Sequence, residues 1–535
     1  MAIFSPSESP AIVVKETDLT GGVPNVQTTT GAFCGNFRWG PINQATLIDN
    51  EASLADKFGT PDDTYAVDFH TASSFLRYSN QLFVVRAANL DSAVNAADSS
   101  AVLIRNDDHF DTLTPSGKVY ARCAGTLGNS IKVVSAGPTT WTGWTASYKA
   151  EFDAAPTGNE IHVLVLDEDG TITGTANQVL ERYAYVSTSS SATNADGTTN
   201  YVKEVINKKS GFIYATTNFV DSNLDASLTG GINGSIATTG QIATGWDEFN
   251  DKDNIEVDFL IANNQSSNSN QATVMNDLIT TASSLRKDCV AVSSPAATDI
   301  VGNSSANANA VTFSESVTYS SYGIIDNNHI KVYDKFNDKF IHIPAAGSTA
   351  GIMAASDNST GSWFSPAGPR RGAYLGATSL AYSPDKSERD TLYKASINPI
   401  ANLPGQGILL FGDKTHMNRP SAFDRINVRR LFLVVERAIA VAARNTMFEF
   451  NDEFTRAEFV NIVEPFLREI KGRRGITDFR VVCDATNNTA AVIDRNEFIA
   501  NIFIKPARSI NYITLNFVAV RSGVDFEEVA GLPTV

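Results

Sequence analysis

The chain has 535 residues, which is too many for a single hydrophobic core and predicts three or four domains. Hydrophobic residues make up 42% of the sequence and charged residues 19%, so a packed interior is expected and wholesale disorder is excluded. The formal net charge of −16, without any recognisable reader motif, argues against direct binding to nucleic acid.

The cysteines, the N-terminal residues and the hydropathy of the chain indicate in which compartment the protein folds. The cysteines are Cys34, Cys123, Cys289 and Cys483. They form no C-x-x-C pair and have no histidine pattern beside them, so neither a disulfide framework nor a zinc site is predicted, which is typical of a reducing cytosol. The stretch MAIFSPSESPAIVVKE has no basic or long apolar region and is not expected to be a signal peptide. The most apolar helical run, LFLVVERAIAVAA, is interrupted by Glu436 and Arg437 and is too short to span a bilayer, so no membrane insertion is expected.

The first 240 residues divide into three predicted segments. Residues 1–20 contain one short predicted strand, AIVVKE, which is an apolar strand at a chain end. Residues 21–95 mix strands such as QLFVVRAA with short helices such as EASLADKFG and FHTASSFLRYSN, which predicts an α+β domain. From 96 to 240, Gly, Ser, Thr and Asn increase and strands such as SIKVVSAG alternate with turns, which predicts a β-rich insertion with a low-complexity loop at STSSSATNADGTTNY.

Strands and helices alternate in the next two segments. In 241–400, the strands IEVDFLIAN and CVAVSSP flank the helix QATVMNDLITTASSLRKD, and AAGSTAGIMAASD is helix-like, which predicts an α/β layer with some parallel pairing. In 401–520, the strand GILLFGDKT precedes a long helix, AFDRINVRRLFLVVERAIAVAARNTMF. A second amphipathic helix, TRAEFVNIVEPFLREIKGRRG, and the strand FRVVCD follow.

The last 35 residues hold strand-forming stretches with no later strand to cover them. Ile513, Leu515 and Phe517 alternate with Thr514 and Asn516, as in a strand with two distinct faces. An uncovered edge strand pairs with other chains. The sequence leaves open which stretch is donated to another chain. In one arrangement the hairpin over 501–520 stays with its own subunit as an acceptor while the polar tail 521–535 is donated.

A search for catalytic chemistry finds only weak patterns. LDEDGTITG places Asp167 and Asp169 before Gly170 but lacks the remaining ligands of a calcium loop, so a charged turn is favoured. GSTAG has Thr349 where a nucleophile elbow has serine, and GGINGS at 230–235 lacks the lysine of a phosphate loop. The six histidines show no paired spacing. The sequence predicts no enzyme and no catalytic, metal or cofactor site.

Basic residues concentrate towards the C-terminus. From residue 401 onward there are 17 Lys+Arg and 16 Asp+Glu, a balance of +1, whereas the preceding 400 residues have a balance of −17. Arg430, Arg437 and Arg444 are seven residues apart on the long predicted helix and therefore lie on one stripe. KGRRG adds basic side chains nearby in sequence, namely Lys471, Arg473 and Arg474. The stripe is either a solvated basic face or a surface that meets an acidic partner.

An ordered set of segments resembles one known family. GQGILLFGDKT, INVRRLFLVVERAI, FEFND, FLREI, VVCDATNNT and FIKPARSINYITLNFVAV resemble the C-terminal domain of contractile phage tail sheath proteins. GSWFSPAGPRRG resembles the segment that leads into that domain, GAFCGNFRWGP resembles the family's N-terminal part, and CAGTLGNSIKV resembles the sheath proteins of large myoviruses.

The resemblance implies a fold and a mechanical function. The fold is a multidomain α/β and α+β chain, with a C-terminal α/β core that faces the tail tube, exchanged terminal strands and a β-rich inserted outer domain. The implied domains are a linking arm at 1–20, an α+β domain at 21–95, the outer domain at 96–240, an α/β domain at 241–400, the core at 401–520 and a second arm at 521–535. Copies would polymerise around the tail tube and contract to drive it through the host envelope.

The implied partners are further copies of the chain, the tail tube protein, the baseplate and the tail terminator. The protein would be part of the virion and would be assembled in the host bacterial cytoplasm. The residues expected to take part in strand exchange between subunits are Ile12, Val13, Val14, Ile513, Leu515, Phe517, Val524 and Phe526. The basic stripe and the KGRRG cluster are expected to face the tube.

Three alternatives stay open at the level of sequence. The first is the sheath of a phage-derived contractile injection device, which shares the core and the mechanism. The second is a virion or cell-surface adhesin whose β-rich middle binds a ligand. The third is an enzyme whose catalytic groups meet only in the folded chain.

Overall fold

A computed structural model describes residues 28–220, 223–444 and 446–510. The strands are β1 Gly31–Asn36, β2 Thr46–Ile48, β3 Leu82–Ala87, β4 Val119–Ala121, β5 Ile131–Ala136, β6 Glu160–Asp167, β7 Gln178–Ser187, β8 Ile213–Ala215, β9 Asp225–Ser227, β10 Phe259–Ile261, β11 Val290–Ser293, β12 Gly323–Ile325, β13 His329–Asp334, β14 Lys339–Pro344, β15 Ser379–Leu380, β16 Ile400–Leu403, β17 Gly407–Leu410, β18 Ile476–Val482 and β19 Asn501–Pro506. The α-helices are α1 Glu51–Phe58, α2 Ala66–Leu76, α3 Asp107–Thr112, α4 Ala146–Lys149, α5 Val202–Lys209, α6 Thr239–Trp246, α7 Asn268–Thr280, α8 Ala297–Ile300, α9 Ala306–Ser316, α10 Ala346–Ser359, α11 Lys386–Lys394, α12 Ile426–Arg444, α13 Glu453–Gly472 and α14 Ala490–Ile493.

A six-stranded sheet, in the order β12-β11-β10-β1-β3-β2, forms the largest layer. All its neighbouring strands are parallel except β2, which runs antiparallel to β3. Every residue of β1, β10 and β11 is buried, because helices cover both faces of the sheet. The predicted parallel pairing is confirmed. The ranges 21–95 and 241–400 contribute strands to this one sheet and are thereby joined in a single α/β unit.

The two faces of the sheet have separate hydrophobic cores. Ala32 and Cys34 of β1 lie on the face that packs against α6, α7 and α9. Phe33 lies on the opposite face, among side chains of α1, α2 and α10 and the first half of α12. The alternation along β1 thus directs successive residues into different cores.

The GSTAG segment serves helix packing in α10. An added Cβ at Gly347 would collide with the carbonyl of Thr71, and one at Gly351 with the ring of Tyr78, so only glycine lets α10 approach α2 this closely. The Thr349 hydroxyl is buried and lies 2.9 Å from a carboxylate oxygen of Asp326. The segment lies within a buried helix, not at a strand-to-helix turn.

Residues 119–227, which we call the β-rich unit, lie between β3 and β10 in the chain. Their antiparallel sheet has the order β7-β6-β5-β9, β4 pairs with β8, and a hydrophobic core of their own fills the unit. Helices α4 and α5 also lie here. The composition of this range predicted strands and turns, and these two short helices were not predicted. The LDEDGTITG stretch is a turn, in which the Asp167 carboxylate accepts hydrogen bonds from the backbone N–H groups of Ile172 at 3.0 Å and Thr173 at 2.7 Å.

Residues 426–506, which we call the C-terminal unit, contain α12, α13, α14 and the two-stranded antiparallel sheet of β18 and β19. Leu431 and Val435 of α12 pack with Phe459 and Val463 of α13, and Trp363 closes this core. The sequence predicted α12 to continue to Phe448, whereas the described helix ends at Arg444 and residues 446–448 form a turn. The remaining sheets are β14-β13-β15 and the β16–β17 hairpin.

Candidate assembly surface

The described ranges, 28–220, 223–444 and 446–510, hold no group of three or more His, Cys, Asp or Glu side chains arranged to bind a metal ion. No helix in these ranges is long and apolar enough to cross a membrane. Unpaired strand edges, exposed basic side chains and exposed aromatic side chains of the described residues occur in and beside the C-terminal unit.

Within the described part of the chain, the sheet of β18 and β19 has only these two strands and leaves both outer edges unpaired. Phe479 pairs with Ile504 and Val481 with Ile502, and these side chains pack towards the α13 core. The alternate positions face solvent, including Phe503 at 59% exposure. Among the described residues no third strand pairs with either β18 or β19. Both outer edges therefore offer backbone N–H and C=O groups to an added strand.

Arg430 of α12 faces the interior of the molecule. Its guanidinium is 5% exposed and binds the Asp357 carboxylate, with Nη1 to Oδ1 at 2.8 Å, and also donates to the carbonyl of Met353 at 3.0 Å. It lies 4.7 Å from the ring centroid of Phe259 in the central sheet. Arg430 thus fastens the first half of α12 to α10 and to the sheet.

Arg437, two turns further along α12, also binds carboxylates of the same chain. Its Nη1 lies 2.8 Å from Oδ1 of Asp258, and its Nη2 donates to the carbonyl of Asp288 at 2.9 Å. The second oxygen of Asp258 accepts the backbone N–H of Thr30 at 3.0 Å. Burial raises the pKa of Asp258 to about 6, against the opposing effect of the Arg437 guanidinium. This ion pair connects the start of β10 to α12, and the hydrogen bond from Thr30 adds the residue that precedes β1.

The remaining predicted basic residues are exposed. Arg444 is 69% exposed and approaches Asp253 at 3.9 Å. Lys471 binds Asp478 of β18 at 3.0 Å, and the Arg473 guanidinium lies 4.8 Å from the ring centroid of Trp363. Arg474 follows α13 in the left-handed region, with φ of 68°. The structure places Arg430, Arg437 and Arg444 on one helix as predicted, but only Arg444 and the Lys471–Arg474 group reach solvent.

Comparison with known proteins matches this architecture to one family. Residues 236–416 match the family model described as phage tail sheath protein central domain, and residues 418–519 match the one described as phage tail sheath C-terminal domain. The tail sheath protein of Enterobacteria phage T4 is 31% identical, over 98% of this chain and 99% of its own length. The chain belongs to the family of phage tail sheath proteins.

Further members of the family and several solved structures agree. The tail sheath protein of Salmonella phage ViI is 31% identical over 99% of this chain and 98% of its own. The sheath tail protein from Listeria innocua shares the fold with a TM-score of 0.58 at 12% identity, covering 90% of this chain and 93% of that one. The helical sheath of the anti-feeding prophage in the contracted state has a TM-score of 0.54 at 12% identity, covering 96% and 99%.

The residues predicted to take part in strand exchange lie outside the described residues. They are Ile12, Val13 and Val14 near the N-terminus and Ile513, Leu515, Phe517, Val524 and Phe526 near the C-terminus. Their role stays a prediction. Of the described residues next to these segments, Thr28 accepts a hydrogen bond at its carbonyl from Arg430 at 3.5 Å, and Ser509 donates to the Asp413 carboxylate at 2.7 Å.

Two surface features, one in the C-terminal unit and one beside it, were missed by the sequence reasoning. Residues 446–454, which we call the aromatic loop, comprise the connection after α12 and the first two residues of α13, and they expose Phe448, Phe450 and Phe454 at 100%, 84% and 76%. At the other end of these helices lies a cleft of about 770 Å³, which we call the basic cleft. Its aromatic lining is Trp363, Phe364, Tyr393 and Phe411. The stretch 448–454, FEFNDEF, alternates phenylalanines with charged and polar residues, and this pattern could have indicated exposed aromatic side chains.

Proposed function

We propose that the chain is the structural subunit of a contractile phage tail sheath. Copies polymerise around the tail tube and contract to drive the tube through the host envelope, which delivers the genome. The observation that carries this proposal is the identity of about 30% to tail sheath proteins of phages over nearly the whole of both chains. The role is mechanical and requires no catalytic step by this chain.

The energy of contraction comes from the difference between two arrangements of the same subunits. The extended sheath is a metastable state that a trigger at the baseplate releases, after which subunits rotate and move outward as nearly rigid bodies. A gain on the order of a few kcal/mol per subunit, summed over many copies, suffices for the stroke. The two cores on either face of the central sheet and the buried ion pairs of α12 support treating the subunit as rigid.

Strand exchange links neighbouring subunits in this proposal. The segments 1–20 and 521–535 leave the parent subunit as arms and add strands to the sheet of β18 and β19 in adjacent copies. The two free edges of that sheet support an acceptor role for it. The β-rich unit is directed to the outside of the assembly.

The partners in this proposal are other copies, the tail tube protein, the baseplate and the tail terminator, and the protein is part of the virion after assembly in the host cytoplasm. Solved structures that share the fold come from a helical sheath and a baseplate of the anti-feeding prophage, which supports self-assembly and a position next to a baseplate. The exposed Arg444, Lys471, Arg473 and Arg474 are proposed to meet an acidic tube surface. Arg430 and Arg437 contribute indirectly, by fixing α12.

A sheath of a phage-derived contractile injection device is the second candidate function. It is favoured by the shared fold with the sheath complex of an extracellular contractile injection system, with a TM-score of 0.52 over 98% of this chain. That structure is only 14% identical, whereas the phage proteins are about 30% identical. The sequence comparison therefore favours a phage tail.

Electron microscopy of the purified protein tests the proposed function. Negative staining of the intact chain is expected to show long hollow tubes, and a variant that ends at Arg521 is expected to lose them while its thermal unfolding stays unchanged. Tubes formed by both proteins would place the linkage elsewhere in the chain. Dispersed monomers from the intact chain, even when concentrated with tail tubes, would contradict a sheath function.

Cosedimentation with tail tubes tests the proposed basic contact. Arg444→Glu/Lys471→Glu should reduce the amount of protein bound to tubes at least several-fold and leave tube-free polymers intact. Lys208→Glu/Lys209→Glu, an equal charge change on exposed residues of α5, is the matched control. Unchanged tube binding by the first variant would disprove the contact.

A further inference from the structure

We propose that the aromatic loop of one copy inserts into the basic cleft of a second copy, as a head-to-tail contact that is separate from strand exchange. The proposal rests on the proposed polymerisation and adds a named contact to it. Four observations carry it: the exposure of the loop, its fixed backbone, the complementary chemistry of the cleft and the distance between the two features.

The aromatic loop presents large apolar side chains that nothing in the described part of the subunit covers. Besides its three phenylalanines, Met447 is 59% exposed. Contiguous exposed apolar groups of this size mark protein contacts, and aromatic side chains are the usual anchors of such contacts. Phe448 is also held at φ of 69°, a conformation that residues with a side chain rarely adopt.

The backbone of the loop is fixed even though its aromatic side chains protrude. The Asn451 side chain donates to the carbonyl of Glu497 at 2.8 Å and to the Asn488 side chain at 3.3 Å. The Asp452 carboxylate caps α13 by accepting the backbone N–H of Thr455 at 2.8 Å. A loop held in this way loses little conformational entropy when it binds.

The basic cleft complements the loop in charge and in apolar character. Five basic and two acidic side chains line the cleft, a balance of +3, and the basic ones are Arg371, Lys386, Arg389, Arg474 and Arg508. One of the two acidic groups, Asp413, is already bound to Arg425 at 2.8 Å. The loop carries Glu449, Asp452 and Glu453 and no basic residue, a balance of −3. Its phenylalanines would meet the aromatic lining of the cleft.

The geometry of the helical hairpin requires that the loop and the cleft which bind each other belong to different copies. The loop joins the end of α12 to the start of α13, whereas the cleft is lined by Asn427 at the start of α12 and by Arg474 just after α13. With 19 residues in α12, the two features are about 28 Å apart. A contact between different patches on identical copies is heterologous, and such contacts build rings or open helical polymers.

Cysteine crosslinking tests the contact directly, because all four native cysteines are buried. When Phe448→Cys and Phe411→Cys proteins are mixed, a bismaleimide is expected to give a heterodimer whose linked peptides mass spectrometry identifies. Homodimers through position 448, or a yield no higher than with Phe340→Cys as the partner, would overturn the proposal. In dilute monomer, Phe411→Cys could be protected from maleimide, and deletion of residues 521–535 could remove that protection. This result would mean that the chain's own acidic tail occupies the cleft, and it would also overturn the proposal.

Polymerisation of variants tests the role of the contact in assembly. Phe448→Ser/Phe450→Ser should raise the concentration needed for polymers at least tenfold without changing thermal unfolding, and Phe340→Ser, at an exposed site on β14, should not. Glu449→Lys and Lys386→Glu should each weaken polymerisation, and their combination should restore it. If the intact chain and all these variants polymerise equally well, this contact is disproved while the proposed sheath function is retained. Crosslinking without any polymer would instead support the contact and contradict the proposed sheath function.

Discussion

Arg430 and Asp357 bury opposite charges between α12 and α10. Removing an ion from water costs several kcal/mol, and only close geometry and additional hydrogen bonds offset that cost. Arg430 meets this condition, since it binds both the carboxylate and the carbonyl of Met353. The pair therefore holds α12 in one position, and either charge left alone would be strongly unfavourable.

Replacing Arg430 by methionine should destabilise the protein by about 3–5 kcal/mol, because Asp357 is left buried without its partner. Arg444→Met, on the same stripe of α12 but exposed, should change stability by no more than about 0.5 kcal/mol. Urea unfolding followed by circular dichroism measures both. Arg430→Met/Asp357→Leu should recover much of the loss, and a failure to recover it would mean that Arg430 acts through packing.

Asp326 is a buried carboxyl without a cationic partner among the groups that shift its pKa. Burial raises the pKa to about 7 from an ordinary value of 3.8, against hydrogen bonds from Ser294, Thr349 and Asn328. The folded protein therefore binds more protons than the unfolded chain between about pH 4 and 7. The stability that this proton contributes is complete below pH 4 and is lost as the pH rises through 7.

Asp326→Asn should remove this pH dependence, because the amide is neutral at every pH. The melting temperature of the variant minus that of the wild type is expected to increase from pH 5 to pH 8. The corresponding free-energy change is roughly 3 kcal/mol, at about 1.4 kcal/mol per pH unit over the two units between pH 5 and the folded-state pKa of about 7. Differential scanning fluorimetry at both pH values measures it. A constant difference would mean that Asp326 is ionised throughout this range.

Among the elements, α13 contains a proline in its interior. Pro465 cannot donate a backbone hydrogen bond, and its ring conflicts with the carbonyl four residues earlier. It is exposed on the outer face of the helix, while Val463 and Leu467 on the inner face are fully buried. The apolar inner face therefore maintains a helix that the local sequence disfavours.

Pro465→Ala should raise the stability of the C-terminal unit by about 1–3 kcal/mol, since it restores the missing backbone hydrogen bond. Thermal unfolding followed at 222 nm measures the change. Glu458→Ala on the same helix is the control and should have an effect within about 0.5 kcal/mol. A decrease in stability would show that the packing of α13 against β18 requires the local geometry of the proline.

Element types were predictable from sequence where burial leaves a simple pattern. β1 and β3 were found because strands buried on both faces appear as continuous apolar runs. The order of strands was not, because β1 pairs with β10 across more than 220 residues and no local pattern records that partner. The end of α12 was missed because Met447 and Phe448 continue the apolar character of the helix into an exposed turn.

At the candidate site, local sequence also failed to identify the long-range partners of the basic residues. Seven-residue spacing places Arg430 and Arg437 on one side of α12, but it cannot tell whether that side meets solvent, a partner or the same chain. The deciding carboxylates, Asp357 and Asp258, lie 73 and 179 positions away in sequence. A buried ion pair between distant segments has no signature in either segment alone.

At the scale of the whole molecule, α12 is the helix that packs against both the central sheet and the rest of the C-terminal unit. The central sheet, α10 and the C-terminal unit all contact this helix. The β-rich unit, by contrast, has its own core and does not contribute to the cores that contain α12. Changes confined to the β-rich unit should therefore alter the surface of the subunit with little effect on the packing of α12.

The positions of Thr28 and Ser509 have a mechanical consequence. The carbonyl of Thr28 accepts a hydrogen bond from Arg430 of α12. Ser509 donates to the carboxylate of Asp413, whose carbonyl accepts the backbone N–H of Ile426 at the start of α12. Both described ends of the chain are therefore tied to the first half of α12, and a pull applied to one end and resisted at the other would pass mainly through this half of the helix and the residues bound to it. Tension along a series of linked copies would thus not be carried by most of each subunit. The β-rich unit could differ in size or shape without weakening the linkage between copies.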